Sequence, residues 1–302
     1  MRVLVTGGAG FIGSHIVDLL LADGHAVLVA DDLSTGKAEN LPAAAELVQV
    51  DIGSPEFLEV AQSFNPQVIT HAAAQPSVVV SMARPADDAR TNILGGLNVA
   101  RAAIDCGVRD FIYITTGGAL YGQPVYTPSD EEHPIRPLSP YGLSKWTLEC
   151  YLKIVLPASI RLKVLRLANI YGPRQDPFGE AGVIAIFAAR MLRNEPVLIY
   201  GDGEQTRDFV YVGDVARAHQ LALAATEPFT VNVSTERPLS VNELFRLMAT
   251  ATGYAKPAVH EPERPGEIKH VVLANGRARA VLGWSPAMPM AEGLGATIDA
   301  LR

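Results

Sequence analysis

The sequence predicts an α/β fold built on a doubly wound parallel sheet, joined to a smaller, interleaved C-terminal domain. Short continuous apolar runs are typical of buried strands, and the stretches between several of them place apolar residues at helical spacing. Beyond residue 171, proline and glycine cluster and the segments become shorter. We therefore expect a sheet covered by helices on both faces and a second, less regular lobe.

Seven apolar runs have the length and composition of buried strands: residues 3–5, 27–29, 47–50, 68–70, 111–114, 164–167 and 230–233. The last run lies beyond the change in character, and we expect it to return to the main sheet. The predicted first domain therefore covers residues 1–170 together with the strand near 230–233. The predicted second domain covers residues 171–302.

Composition and charge limit the class of protein. The chain has 302 residues, of which 48% are hydrophobic and 19% are charged, as in soluble globular proteins. Its formal net charge of −7 argues against nucleic acid or an anionic membrane as a partner. No charge-free apolar run reaches the roughly 18 residues of a membrane helix, and the histidine spacing predicts no metal site. The two cysteines, Cys106 and Cys150, fit reduced thiols in the cytoplasm.

A glycine-rich loop follows the first predicted strand and precedes a helical pattern. Residues 8–13 read Gly-Ala-Gly-Phe-Ile-Gly and satisfy the GxGxxG pattern. Glycines at this spacing permit a tight turn and close approach of the backbone to a pyrophosphate, and the helix N-terminus offers free N–H groups. The loop therefore predicts a dinucleotide-binding Rossmann fold. The residues predicted to contact the dinucleotide here are Gly7, Gly10, Phe11, Ile12 and Gly13.

Asp31 ends the second predicted strand, about 20 residues beyond Gly10. A carboxylate at this position accepts hydrogen bonds from the adenosine ribose and repels a 2′-phosphate. Asp32 adds to the repulsion, and no arginine lies between Asp31 and Lys37. The sequence therefore predicts NAD rather than NADP as the cofactor.

Tyr141 and Lys145 stand four residues apart at the start of a predicted helix, for which Ser139 is the N-cap and Pro140 suits the first turn. The two side chains then share one helix face. A lysine cation together with the positive nicotinamide ring would favour a phenolate, which can take a proton from a sugar hydroxyl while hydride leaves the same carbon. A pair on a surface helix is the alternative, but the glycine loop and Asp31 favour a catalytic pair.

With these residues together, the sequence resembles the extended short-chain dehydrogenase/reductases, and within them the nucleotide-sugar enzymes similar to UDP-glucose 4-epimerase. The resemblance spans nearly the whole chain. It rests on residues 6–15, 31–36, 51–52 and 71–75, Asn92, Tyr121-Gly122, Tyr141 with Lys145, and residues 169–174, 207–210 and 264–267.

The resemblance implies roles for further residues. Asp51 and Ile52 would flank the adenine, Ala72, Ala73 and Ala74 would line the pyrophosphate and nicotinamide ribose, and Lys145 would also hold that ribose. The other positions expected near the cofactor are Asp32, Ser34, Gly36, Asn92 and Thr115. The nucleotide diphosphate would be gripped by a set of residues suited to anions, which are Asn169, Val183 through its backbone, Arg207 and Arg264.

The reaction implied is NAD-dependent 4-epimerisation of a UDP-hexose, with UDP-glucose and UDP-galactose as the first candidates, through a transient 4-keto sugar on permanently bound NAD. Epimerisation of UDP-glucuronate or UDP-N-acetylglucosamine and decarboxylation of a UDP-uronate stay open. A non-catalytic NAD-binding sensor would not need Tyr141 and Lys145. Related dehydratases carry an Asp-Glu pair where this chain has Gly118 and Ala119, which disfavours dehydration.

The sequence departs from many relatives at the catalytic hydroxyl. Four residues before the tyrosine of Tyr121-Gly122, where they carry serine or threonine, this chain has Gly117. Thr116 is the nearest hydroxyl, and we assign the role to it, with Thr115 before it. The alternative is that both threonines only end a strand.

The resemblance also implies a homodimer. Its interface would be formed by the helix that follows Tyr141 and by the helix through residues 92–104. The apolar surface expected on the first helix is Trp146, Leu148, Tyr151, Leu152 and Val155. The alternative is that these side chains belong to the core of their own domain.

Overall fold

A computed structural model describes residues 1–178, 182–263 and 268–302 of the chain. The strands are β1 (Arg2–Thr6), β2 (Ala26–Asp31), β3 (Glu46–Gln49), β4 (Val68–His71), β5 (Asp110–Thr116), β6 (Arg161–Leu167), β7 (Asn169–Tyr171), β8 (Leu198–Tyr200), β9 (Thr206–Tyr211), β10 (Phe229–Val233), β11 (Pro238–Ser240) and β12 (Val259–Glu261). The helices are α1 (Phe11–Ala22), α2 (Pro55–Phe64), α3 (Val78–Ala83), α4 (Pro85–Ala89), α5 (Gly96–Asp105), α6 (Pro140–Val155), α7 (Val183–Leu192), α8 (Val212–Ala224), α9 (Val241–Thr252), α10 (Gly276–Leu282) and α11 (Met290–Asp299). A π-helical turn, Arg90–Gly95, joins α4 to α5.

The main sheet has seven strands in the order β10-β6-β5-β4-β1-β2-β3, and its neighbours pair in parallel. This order reverses between β1 and β4, as in a doubly wound Rossmann sheet. The predicted fold class is therefore confirmed, and each of the seven apolar runs lies in this sheet. Because all the strands are parallel, their carboxyl ends lie along one edge.

The strands are apolar throughout because both faces of the sheet are covered. In β1, Val3 and Val5 pack on one face and Leu4 packs on the other, and all three are fully buried. On the Val3 side the core includes residues of α1 and α8, whereas on the Leu4 side it includes residues of α2, α5 and α6. Continuous hydrophobicity is therefore a consequence of the two-sided cover.

The residues beyond β6 form smaller sheets, β11-β9-β7 and β12-β8, with a core of their own. Side chains of α7, α9 and α11 meet in that core, among them Phe187, Leu244 and Ile298. Strand β10 interrupts this lobe and pairs in parallel with β6 in the main sheet, with Val231 opposite Leu165. The division of the chain near residue 170 into two domains stays a prediction.

Helix α6 begins with the N-cap residue and the first-turn proline that the sequence predicts. The Ser139 hydroxyl accepts a hydrogen bond from the Gly142 N–H at 3.1 Å, and Pro140 is the first helical residue. A β-carbon at Gly142 would lie 2.4 Å from the Ala119 carbonyl oxygen, so the helix begins in direct contact with the loop after β5. This contact brings Tyr141 beside the carboxyl end of β5.

In the ranges that the structure describes, no helix is both long and apolar enough to span a membrane.

The opposite edge of the sheet carries a buried charge cluster. The Asp110 carboxylate at the start of β5 binds Lys163 at 2.8 Å, and Arg161 and Arg109 at 2.7 Å each. Asp110 and Lys163 are both fully buried. Burial raises the pKa of Asp110, but the hydrogen bonds from Lys163, Arg161 and Arg109 outweigh it, so that the pKa lies below its usual value.

We predict that Asp110→Asn lowers the free energy of unfolding by about 3–5 kcal/mol, because the Lys163 ammonium is left buried without its counter-charge. Since the folded-state pKa of Asp110 is depressed, its contribution is complete above the unfolded-state pKa and is lost as the pH falls through the folded-state pKa. Urea unfolding at neutral and acid pH measures both effects. The control is Asp299→Asn, which removes an exposed pair with Arg302 and should change stability by under about 0.5 kcal/mol. Equal losses in the two variants would contradict the prediction.

Candidate active site

Most of the predicted cofactor residues lie along one edge of the main sheet, at or just beyond the carboxyl ends of its strands, whereas Asn92 lies in the π-helical turn and Tyr141 and Lys145 lie on α6. The glycine loop follows β1, Asp31 ends β2, Asp51 and Ile52 follow β3, and Ala72, Ala73 and Ala74 follow β4. Thr115 and Thr116 end β5. Ligands of doubly wound sheets bind at this edge, where the strand order reverses.

The glycine loop leaves no room for side chains. A β-carbon at Gly7 would lie 2.5 Å from the Ala73 nitrogen, and one at Gly13 would lie 2.1 Å from the Gly7 carbonyl oxygen. Gly7 has φ +69°, which glycine adopts without strain. Gly10 is the N-cap of α1 and has no side chain to cap the first amides of Phe11 and Ile12. The loop therefore presents bare backbone and a helix N-terminus, which fit a dinucleotide pyrophosphate.

Asp31 is held at the rim of this loop. Its carboxylate accepts hydrogen bonds from the Ala9 N–H and the Leu33 N–H, both at 2.9 Å. A β-carbon at Gly36 would lie 2.7 Å from Asp31 Oδ1, so a glycine is required beside the carboxylate. Burial raises the pKa of Asp31, while the two N–H groups lower it. The carboxylate is thus fixed at the carboxyl end of β2 beside the glycine loop, an arrangement that fits the predicted NAD.

The remaining predicted cofactor residues divide into exposed and buried groups. Asp32 is exposed and accepts hydrogen bonds from the Ser34 N–H at 2.9 Å and the Ser34 hydroxyl at 2.6 Å. Asp51 is also exposed and caps the Gly53 N–H at 2.8 Å. Ile52 is buried and packs against Gly95 at the π-helical turn. Ile52 therefore supplies an apolar wall, whereas the two carboxylates shape the loops.

Thr116 and Tyr141 meet at the end of β5. The Thr116 hydroxyl accepts a hydrogen bond from the Ala119 N–H at 3.1 Å and lies near enough to Tyr141 to lower the pKa of its phenol. A β-carbon at Gly117 would lie only 2.4 Å from Leu273 Cδ1, so a serine or threonine there would require that side chain to shift. The Thr116 hydroxyl, one residue earlier, lies beside the phenol of Tyr141.

Lys145 is buried below the phenol on the same helix. Its ammonium group donates to the Ile114 carbonyl oxygen at 3.1 Å and lies over the Tyr113 ring, 4.6 Å from the centroid. Burial lowers the pKa of Lys145 to about 7, and the negative charge of Asp88 acts in the opposite direction. Lys145 is therefore an ammonium group that can lose its proton close to neutral pH.

Tyr141 is a neutral phenol in the protein by itself. Burial and then the charge of Asp88 raise the pKa of Tyr141 to about 12, although the hydrogen bond with Thr116 lowers it. The contacts of the Lys145 ammonium are with β5. The phenolate expected from the sequence thus needs the positive charge of the nicotinamide ring in addition to Lys145.

Asn92 lies at the centre of a hydrogen-bond cluster that also contains Gln75, Asp88 and Ser144. Its Oδ1 accepts from the Gln75 N–H at 2.8 Å, and its Nδ2 contacts the Gln75 carbonyl, Asp88 Oδ1 and the Ser144 hydroxyl within 3.2 Å. In this structure the Asn92 amide therefore holds the loop after β4 against α6. A role of Asn92 toward the cofactor stays a prediction.

Three of the four predicted substrate residues line one cavity of about 480 Å³ between β7, α7 and β9: Asn169, Val183 and Arg207. Arg264 lies outside the described residues. Asn169 Oδ1 is buried without a hydrogen-bond partner among the described residues. It lies 3.7 Å from where a β-carbon of Gly118 would be, and Thr116 Oγ1 lies 3.9 Å from the same point. A wall residue of the cavity therefore lies close to the hydroxyl that the sequence predicts to be catalytic.

Sequence reasoning missed Asp88 and Gln75 as members of this site. Asp88 stands four residues before Asn92, a spacing that places both side chains on one helix face. This pair of polar residues was the available signal. The structure shows that they share a hydrogen bond of 3.0 Å.

Comparisons with known proteins agree with this geometry. Residues 3–234 match the NAD dependent epimerase/dehydratase family. The chain is 43% identical over 309 residues to UDP-glucose 4-epimerase of Mycolicibacterium smegmatis, covering 100% of this chain and 99% of the relative. It matches the UDP-glucose 4-epimerase of Thermotoga maritima, solved with UDP-glucose, with a TM-score of 0.97 and 46% identity, over 100% of this chain and 99% of the other. The enzyme of Thermus thermophilus, solved with NAD, gives 0.94 and 45% at the same coverage.

We predict that Gly13→Ala lowers the free energy of unfolding by about 1–3 kcal/mol and weakens dinucleotide binding, because the added carbon overlaps the Gly7 carbonyl oxygen. Urea unfolding and dinucleotide titration measure the two effects. The control is Gly276→Ala at the first residue of α10, where a β-carbon meets open space. That variant should be as stable as the parent or slightly more stable. The prediction is wrong if both variants unfold at the parent's urea concentration.

Proposed function

The chain belongs to the NAD dependent epimerase/dehydratase family, and we propose that it catalyses the 4-epimerisation of a UDP-hexose with bound NAD, interconverting UDP-glucose and UDP-galactose. It is therefore an isomerase. The full-length relatives at 42–43% identity carry the name UDP-glucose 4-epimerase, in one case as a putative assignment. The similarity thus covers both the dinucleotide edge and the substrate cavity.

One observation carries the proposal. Tyr141 and the Thr116 hydroxyl lie at the carboxyl end of β5, where the dinucleotide edge of the main sheet comes close to Asn169, a wall residue of the cavity. A sugar at the inner end of that cavity would have its reacting carbon next to a phenol. A protein that only binds NAD would not need this junction.

The residues act as follows in our proposal. When bound, NAD accepts hydride from C4 of the sugar and returns it. Tyr141 Oη takes the proton of the 4-hydroxyl group and later gives it back, steadied by the Thr116 hydroxyl. Lys145 holds the nicotinamide ribose and supplies positive charge below Tyr141. The 4-keto sugar can then turn over and accept hydride on its other face.

Retention of the nucleotide through this turn requires strong contacts away from the sugar. We assign the diphosphate to Arg207 and Arg264, with Asn169 and the backbone at Val183 beside it. Guanidinium groups suit a diphosphate because they donate in a fixed, bidentate geometry. The contacts to the sugar itself must be few, since both epimers have to fit.

The cofactor contacts follow the edge of the sheet. We assign the pyrophosphate to the backbone of the glycine loop and to Ala72–Ala74, the adenosine ribose to Asp31, and the adenine to Ile52 beside Asp51. The fixed carboxylate of Asp31 and the neighbouring Asp32 disfavour a 2′-phosphate, which supports NAD over NADP. Dehydration is disfavoured by Gly118 and Ala119, which have no acid or base.

Other UDP-sugars are alternative substrates for the proposed site. UDP-glucuronate, UDP-N-acetylglucosamine and a decarboxylation of a UDP-uronate use the same proton and hydride chemistry. A panel of UDP- and dTDP-sugars with product analysis separates them, because decarboxylation yields a pentose and epimerisation conserves mass. We expect UDP-glucose and UDP-galactose to interconvert at the highest rate.

We predict that the purified protein converts UDP-galactose to UDP-glucose without added NAD, and that Tyr141→Phe lowers this rate by about 10²–10⁴-fold. Tyr126→Phe is the matched control, since Tyr126 is an exposed phenol bonded to Asp130. Thr116→Ser should keep most of the activity and Thr116→Val should lose it. Product analysis by chromatography gives the rates. Full activity of Tyr141→Phe would contradict the assignment of Tyr141 as the base.

We further propose that the chain forms a homodimer in the cytoplasm. Tyr151, Ile154 and Val155 form an exposed apolar strip on α6, with Leu94 of the π-helical turn also exposed. Leu148 and Leu152, expected in this surface, are instead part of the core of their own domain. Ile154 is 81% exposed, which is unusual for such a side chain unless another surface covers it. The free cysteines Cys106 and Cys150 suit a reducing compartment.

We predict that Ile154→Arg converts the dimer to a monomer, because a buried unpaired charge would lie in the interface. Analytical ultracentrifugation measures the mass. Val281→Arg is the control, as Val281 is an exposed apolar residue on α10, away from α6. A parent protein that sediments as a monomer, or an Ile154→Arg variant that stays dimeric, would contradict the proposal.

A further inference from the structure

Asp88 is a buried carboxylate that the proposed chemistry does not use. It lies in α4 and is 1% exposed. Its Oδ1 accepts hydrogen bonds from Gln75 Nε2 at 2.9 Å and Asn92 Nδ2 at 3.0 Å. Its Oδ2 is buried without a hydrogen-bond partner among the described residues. A carboxylate oxygen in this state is costly, so its presence points to a task for the charge.

The hydrogen bonds of Asp88 lead to the helix that carries Tyr141. Asn92 Nδ2 also donates to the Ser144 hydroxyl at 3.2 Å, and that hydroxyl donates to the Tyr141 carbonyl oxygen at 3.0 Å. Asn92 belongs to the π-helical turn after α4, a rare conformation that often marks functional sites. Asp88 therefore fixes the first turn of α6 through two intermediate side chains.

The charge of Asp88 acts on both titrating groups of the site. It raises the pKa of Lys145 and that of Tyr141. The other groups around Lys145 carry no negative charge: burial lowers the pKa of His71 to about 3, so that its ring is neutral, and burial raises the pKa of Tyr113 well above its usual value.

The carboxylate of Glu149, further along α6, is already neutralised. It binds Arg166 and Lys153, each at 2.7 Å. Among the described residues, Asp88 is thus the anion whose charge acts on both Lys145 and Tyr141. Its free oxygen and its place in the hydrogen-bond cluster distinguish it from the half-buried Asp87 on the same short helix, which pairs with Arg90 at 2.8 Å.

We propose that Asp88 is a positioning residue, which fixes the start of α6 through Asn92 and serves as the buried counter-charge of Lys145. The carboxylate favours the ammonium form of Lys145 by raising its pKa. The same charge adds to burial in favouring the protonated form of Tyr141. Removal of the charge should therefore move the ionisation of both groups to lower pH.

The direct test is a titration of Lys145 by NMR in the NAD-loaded protein, with ¹³C at the lysine ε-carbons. The chain has six lysines, and the loss of one signal in Lys145→Met identifies Lys145. We expect Lys145 to titrate at lower pH in Asp88→Asn than in the parent, and at the parent's pH in the control Asp87→Asn. An unchanged titration in Asp88→Asn would overturn the role as counter-charge.

The second readout is the pH profile of epimerisation, and this arm rests on the proposed function. In Asp88→Asn both limbs should move to lower pH, since Tyr141 ionises earlier and Lys145 loses its proton earlier. At a fixed pH on the alkaline limb, the rate of Asp88→Asn should be roughly tenfold below that of the parent for each unit by which the pKa of Lys145 has fallen. A profile in which the rate is lower at every pH, but both limbs stay at the parent's pH values, would indicate only a structural role and would overturn the proposal. If the parent itself does not epimerise, the proposed function fails, and the NMR titration still decides the role of Asp88.

Asn fits the site because its Oδ1 can accept the hydrogen bonds from Gln75 and Asn92. If Asp88→Asn does not fold, Asp88→Glu decides the question, because it keeps the charge and moves it by one methylene group. Lys145 should then titrate at or above the parent's pH, with kcat reduced. A titration displaced to lower pH in Asp88→Glu would contradict the inference.

Discussion

The burial of the Lys145 ammonium group is the constraint on which the arrangement of the site depends. Lys145 is 3% exposed, and an ammonium group in that position is unfavourable unless the surroundings compensate for lost water. The compensation comes from the Ile114 carbonyl oxygen, the face of the Tyr113 ring and the charge of Asp88. These groups lie on β5 and α4, so both elements must be in register with α6 before the site exists. These groups do not fully replace the lost hydration of the ammonium group, and for this reason the pKa of Lys145 is lowered to about 7.

A second network connects the catalytic helix to the rest of the sheet. Arg166 of β6 binds the Glu149 carboxylate of α6 at 2.7 Å and donates to the Tyr121 hydroxyl at 3.0 Å. The Tyr121 hydroxyl donates to Asn232 Oδ1 on β10 at 2.8 Å. The strand that returns from the C-terminal lobe is therefore fixed to the same helix as Tyr141. These buried side chains therefore connect β10, β6 and α6 across the main sheet.

Much of the architecture could be predicted from the sequence because the relevant signals are local. Continuous apolar runs gave each strand of the main sheet, since a parallel sheet with two covered faces needs no polar alternation. The cap at Ser139 located the start of α6, and the glycine spacing located the dinucleotide loop. The assignment of the hydroxyl role to Thr116 rather than Gly117 relied on position as well, and that role stays a prediction.

Other features could not be predicted because they depend on residues that are distant in sequence. Asn169, whose Oδ1 is buried without a partner among the described residues, lines a cavity whose walls come from five separate segments. The protonation of Tyr141 depends on burial and on Asp88, 53 positions away, so spacing to Lys145 alone gave an incomplete account. Leu148 and Leu152 have the composition of an interface but pack inward, which only the three-dimensional position of α6 reveals.

The central claim is that the chain by itself keeps Tyr141 protonated and that bound dinucleotide ionises it. Tyrosinate absorbance tests this most directly, as the difference between the parent and Tyr141→Phe, measured in protein stripped of dinucleotide and in protein loaded with NAD. The account predicts no Tyr141 tyrosinate at neutral pH in the stripped protein and a clear tyrosinate signal, below about pH 10, in the loaded protein. Tyrosinate at neutral pH without dinucleotide, or no difference between the two forms, would contradict it.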